Sequence, residues 1–143
     1  MSAFRTILGG AAAALLLTAA PAAAQDFKVI VNASNSTTEL PAATLSRIYL
    51  KEAAAFPNGV NAAPVDQSKT SPVRAAFSKR IVGRPVSAVE TYWQQQIFSG
   101  KEIPPPNKAT DDEVVAFVKA TPGGIGYVSA GASVAGVKVV ELK

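Results

Sequence analysis

The chain has 143 residues, with 14 Lys+Arg against 10 Asp+Glu, a formal net charge of +4, and neither histidine nor cysteine. Those two absences exclude the Ser-His-Asp triad, the Cys-His nucleophile pair, thiolate zinc sites, disulfides and c-type haem attachment. Any activity rests on hydroxyls, carboxylates, lysines, arginines or backbone groups, and the basic excess is too small to mark a nucleic-acid binder.

Residues 1–24 read as a secretory signal peptide: Arg5 supplies the positive start, Ile7 to Ala20 the apolar stretch, and Ala22-Ala23-Ala24 a small-residue cleavage site. The remaining 25–143 are expected to form one domain of a bacterial periplasm or medium, without a lipid anchor. A chain of this length buries roughly two-thirds of its unfolded surface, enough for one core. No later segment is long and apolar enough to span a bilayer.

In chain order, Phe27 to Asn32 is a short β-branched run that predicts a strand, followed by a polar loop from Asn32 to Thr38. Pro41 opens a helix in which Leu45, Ile48 and Tyr49 share a face until Lys51. Phe56-Pro57-Asn58-Gly59 is a turn cluster, and Ala62 to Asp66 is extended. Ser71 as N-cap and Pro72 at the first helical position start a second helix with Val73, Phe77 and Ile81 inward, stopped by Gly83. Ser87 and Glu90 read as a capping box for a third helix carrying Val89, Trp93 and Ile97 up to Gly100. After the stiff Pro104-Pro105-Pro106 connector, Thr110 to Glu113 is a second capping box, ahead of Val114, Phe117 and Val118. Gly123-Gly124 turns the chain into Ile125 to Ser129, and Val137 to Leu142 is the last strand. Helices interspersed with short strands indicate an α/β layer fold, a small mixed sheet flanked by about four helices. Its core is expected from Leu45, Ile48, Val73, Phe77, Ile81, Trp93, Ile97, Val118, Ile125 and Val128.

The informative stretch for chemistry is Pro64 to Pro72, where an extended run delivers a hydroxyl-rich loop onto a helix start. Unpaired N–H groups and the helix dipole favour an anion there. Ser68, Thr70 and Ser71 supply hydroxyl donors, Lys69 and Arg74 supply charge, and Asp66 is placed to accept a bond from a protonated oxoanion. The competing reading of the same residues is structural, with Ser71 capping the helix and Ser68 and Thr70 facing water. Asp111, Asp112 and Glu113 are read as dipole-favoured residues of a first helical turn, so no metal site is assigned. Tyr92 and Trp93 sit at core spacing, and Arg80 and Arg84 on a solvated face. Without a Ser-x-x-Lys pair or a marked carboxylate pair, the chain is read as a non-enzyme that needs no cofactor.

The order of these motifs resembles one lobe of the phosphate-type periplasmic substrate-binding proteins of ABC transporters. Lys28 to Asn32 resembles the family's strand ending in Val-Asn, and Thr44 to Lys51 its Leu-x-x-Ile-Phe/Tyr-Leu-Gly helix. Pro64 to Thr70 falls on its phosphate loop Arg-x-Asp-x-Ser-Gly-Thr, and Thr121 to Val128 resembles its Pro-Gly-x-Ile-Gly-Tyr-Val segment. The resemblance implies a single lobe of the type II periplasmic-binding-protein fold, with phosphate or a similar small oxoanion at Asp66, Ser68, Lys69, Thr70, Ser71 and Arg74. Two departures matter. Pro64 stands where the family has arginine and Lys69 where it has glycine, so a bidentate clamp is lost and only charge is replaced. The alternative is an interaction module of the cell envelope that keeps the lobe fold without the ligand. A membrane transporter and a second copy of the chain are the macromolecular partners the resemblance leaves open.

Overall fold

The computed structural model describes residues 26–143; the expected signal peptide lies outside the described residues. β1 (Phe27–Asn32) occupies the middle of a five-stranded mixed sheet in the order β2-β7-β1-β6-β3, with β2 Glu39–Leu40, β3 Ala63–Pro64, β6 Gly124–Ser129 and β7 Val137–Leu142. β1 runs antiparallel to both β6 and β7, while β2 and β3 join the edges in parallel.

Strand alternation divides the core into two layers. Val29 and Val31 of β1, with Ile125 and Tyr127 of β6, face α1 (Ala42–Tyr49) and α2 (Pro72–Phe77), where Leu45, Ile48, Tyr49, Val73 and Phe77 pack against them. Ile30 and Val128, on the opposite face, meet Val114 and Val118 of α4 (Asp111–Ala120) and Val65. The sheet is thus covered on both sides, which is why β1 reads as an apolar run instead of an alternating one. Gly126 lets α4 approach: a Cβ there would stand 2.6 Å from Val114 Cγ1.

Asn32 closes β1 by donating from Nδ2 to the carbonyls of Val118 and Lys119, at 2.9 and 3.1 Å, which satisfies the C-terminal turn of α4. Thr110 caps the other end of that helix by accepting from Glu113 N–H, and Glu113 accepts in return from Ala109 N–H, one residue before the cap N–H that the regular capping box uses.

Three expectations are corrected. α3 (Val86–Phe98) is preceded by Pro85 and has no side-chain cap; Ser87 lies within its first turn and Glu90 turns to Arg74, so the Ser87/Glu90 pair is not a capping box. Second, the chain leaves α2 in a π-helical turn, Ser78–Val82, before the left-handed Gly83. Ile81 lies in this wider turn, partly buried and still packed against the cluster that holds Val73 and Phe77. Third, Ile97 is 53% exposed, because the α3 stripe runs one turn beyond the body that covers Val89 and Trp93. Among the described residues no helix is long and apolar enough to cross a membrane.

Candidate functional site

The extended segment after β3 changes sheets at Val65. Val65 N–H still donates to Ile125 of the main sheet, whereas Asp66 N–H donates to Pro106 and Ser68 N–H to Lys108. Asp66–Gln67 (β4) and Asn107–Lys108 (β5) form a separate two-stranded parallel ladder. This hand-over lifts Ser68 to Ser71 clear of the main sheet and aims the chain into α2.

Side chains on β4 alternate. Gln67 turns toward α4: its Nε2 donates to Asp111 Oδ1 and Tyr127 O, both at 2.9 Å, and its Oε1 accepts from Ser71 Oγ at 2.9 Å. Ser71 in turn caps α2 by accepting from Arg74 N–H at 3.3 Å. Asp66 turns the other way and is buried. Its Oδ1 accepts from the Tyr127 hydroxyl, from Gln67 N–H at 2.9 Å, and lies 3.5 Å from Arg74 Nε. Burial raises the Asp66 pKa, although Arg74, Tyr127 and Gln67 all pull it down. The same burial, with the neighbouring carboxylate, holds the Tyr127 hydroxyl protonated well above its ordinary value.

Arg74 is itself buried. Its Nη1 donates to Gln67 O at 3.1 Å and its Nη2 to Glu90 Oε1 at 2.6 Å, so the guanidinium bridges the base of the loop to α3. The platform below is aromatic: Phe77 stacks on Tyr127 with centroids 3.9 Å apart and planes 4° from parallel, and Tyr49 lies 4.7 Å from Phe77.

The six residues singled out by sequence therefore occupy three places. Asp66 and Arg74 come together as an internal ion pair beneath the loop. Ser71 is used by Gln67 and the helix start. Ser68, Lys69 and Thr70 form the outer rim, where the Ser68 and Thr70 hydroxyls are 3.2 Å apart. Among the described residues the N–H groups of Lys69, Thr70 and Val73 have no acceptor, so three backbone donors lie within the same few residues as two hydroxyls. Val73 also lines the groove beside Ser71, where the Asp111 carboxylate disfavours an anion, so the rim side that carries the Lys69 ammonium is the favoured approach.

Sequence reasoning missed Gln67, Glu90 and Tyr127. Tyr127 lay in view within the Gly126-Tyr127-Val128 motif, but only the sheet register brings it under Asp66. Glu90 reads in sequence as a cap partner of Ser87, and nothing local signals its pairing with Arg74, which is 16 positions away.

No protein-family model matches the chain and no curated protein does. Among solved structures it is similar to an ABC-type phosphate transport receptor from Vibrio cholerae, with a TM-score of 0.65 at 16% identity over 82% of this chain and 46% of that one. It is likewise similar to PstS from Borrelia burgdorferi, with a TM-score of 0.64 at 11% identity over 83% of this chain and 47% of that one. The chain spans less than half the length of these receptors. The likeness is one of fold: a mixed α/β unit matching one lobe of a periplasmic binding protein.

Proposed function

We propose that the protein is a periplasmic solute-binding lobe that holds a phosphate-like oxoanion at the Ser68–Ser71 loop. The observation that carries this reading is the cluster of unpaired donors: the N–H groups of Lys69, Thr70 and Val73 beside the Ser68 and Thr70 hydroxyls. N–H groups left without acceptors close to a helix start favour an anion, and the Lys69 ammonium adds charge. The fold shared with phosphate receptors supports the same choice.

In this reading Asp66 and Arg74 hold the loop from beneath instead of touching the anion, with Gln67 and Ser71 fixing its exit into α2. Asp66 then reads no proton, and sulfate competes with hydrogen phosphate. The rim is open to water, so affinity is modest and falls with salt. Delivery to a membrane transporter is part of the proposal and follows from the receptors' role. The chemistry is binding alone, with no reaction and no cofactor.

Titration of the purified chain with phosphate, followed by backbone amide NMR, tests it. Saturable shifts centred on Lys69, Thr70 and Val73 are expected, weakened about tenfold in Thr70→Ala, the loss of one hydrogen bond to a charged group. A folded protein whose loop amides stay still in millimolar phosphate would overturn the reading.

A second reading, an interaction module of the cell envelope, is favoured by one feature. Phe98 at the end of α3 is 96% exposed, and the exposed Ile97 that precedes it lines a shallow surface groove with the exposed Ile103. Its test is a molecular mass that rises with concentration and ceases to do so in Phe98→Ser.

A further inference from the structure

On the side of β4 away from Gln67, α3 and the Pro104-Pro105 segment border a cleft of about 100 Å³. Its base is the ion chain Asp66–Arg74–Glu90, and Trp93, Ile97 and the two prolines line it with apolar surface. No residue of the anion rim lines this cleft, and the inference is independent of the anion reading.

The ion chain leaves two carboxylate oxygens without donors. The Tyr127 hydroxyl, Gln67 N–H and Arg74 Nε all address Oδ1 of Asp66, and Arg74 Nη2 addresses Oε1 of Glu90. Among the described residues nothing donates to Asp66 Oδ2 or to Glu90 Oε2. The Asp66 side chain is nine-tenths buried, yet its free oxygen is not sealed away from solvent. Two carboxylates against one guanidinium leave the base of the cleft one negative charge in excess. Two acceptor oxygens that open into one partly apolar cleft favour a charged donor over a neutral one. A divalent metal is disfavoured, since the Arg74 guanidinium already stands against both carboxylates and its charge repels a second cation of high charge density.

We propose that this cleft binds a small alkylammonium ion. Its ammonium donates to Asp66 Oδ2 and Glu90 Oε2, which balances the charge, and its alkyl group lies against Ile97 and the prolines. The indole of Trp93 beside the cation adds a cation–π contact.

Trp93 is the single tryptophan of the chain, so its fluorescence reports on the cleft directly. Titration of the full chain with isobutylammonium chloride is expected to change that fluorescence saturably, with amide shifts centred on Asp66, Glu90 and Trp93. Isobutanol, the same shape without the charge, is expected to bind about tenfold more weakly or worse. Glu90→Gln keeps an acceptor for Arg74 while removing the excess charge, on a side chain 40% exposed, so the fold survives; it is expected to weaken the amine about tenfold. The proposal is overturned by an unchanged Trp93 signal up to about 50 mM amine, by equal binding of the alcohol, by undiminished binding to Glu90→Gln, or by shifts confined to other surfaces.

Discussion

Replacing Gly126 by alanine adds one methyl group where β6 passes under α4. That Cβ would stand 2.6 Å from Val114 Cγ1, 2.9 Å from Val65 Cγ1 and 3.2 Å from Val118 Cγ2. Carbon atoms rest near 3.5–4.0 Å, so two methyls must retreat by about 1 Å. All three neighbours are fully buried and stiff at χ1, and the strain passes to the helix. Overpacking of this kind costs about 1–3 kcal/mol, of which about 0.4–1 kcal/mol is offset because alanine restricts the unfolded chain. A net loss of about 1–2 kcal/mol corresponds to a Tm lower by about 4–8 °C in a domain of this size. Thermal melts by circular dichroism measure it. Gly131→Ala is the control, since a Cβ there meets nothing within 4 Å, and it is expected to hold or raise the Tm. Val114→Ala removes the nearest methyl, so in that background the cost of Gly126→Ala should fall by about half or more. A Gly126→Ala protein as stable as Gly131→Ala, or an undiminished cost beside Ala at 114, would refute the argument that helix approach sets this position.

Thr110→Ala should cost about 1 kcal/mol in urea unfolding, because it strips the N-cap of α4. Ser87→Ala should stay within about 0.5 kcal/mol, since Ser87 caps nothing; a larger loss there would restore the capping box. The pH dependence of Asp66 follows from its raised pKa. Folded Asp66 holds its proton more tightly than unfolded Asp66, so its contribution is full below the unfolded value near 3.8 and is lost as pH rises through the folded value. Asp66→Asn should therefore gain stability relative to wild type as pH rises from there toward neutrality, and urea midpoints showing the opposite slope would contradict it.

Periodicity carried the main elements because each has one strong apolar face: Leu45, Ile48 and Tyr49 on α1, and Val114 and Val118 on α4, are buried as their spacing implies. It failed where the covering partner is not local. Ile97 continues the α3 stripe in sequence, but no element of the fold stands over it. The short strands Glu39–Leu40 and Asn107–Lys108 escape any pattern, since two residues offer no alternation and each exists only because a neighbouring edge accepts it. For the loop, residue types alone placed Ser68, Thr70 and Ser71 at a helix start. They carried no information on which side of β4 Asp66 and Gln67 face, and that alternation separates the donors of the rim from the ion pair beneath it.

The position of β1 also governs when this fold can form. Its residues 27–32 take their hydrogen-bonded partners from residues 124–129 and 137–142, about a hundred positions downstream. A strand at the centre of a sheet whose two neighbours lie that far downstream stays without a template until those residues have been made. Non-local pairing of this kind carries a large loop-closure cost and slows folding. Until those partners arrive the apolar Val29-Ile30-Val31 run has no sheet to join, and an unpaired strand of this kind is the segment most exposed to wrong association.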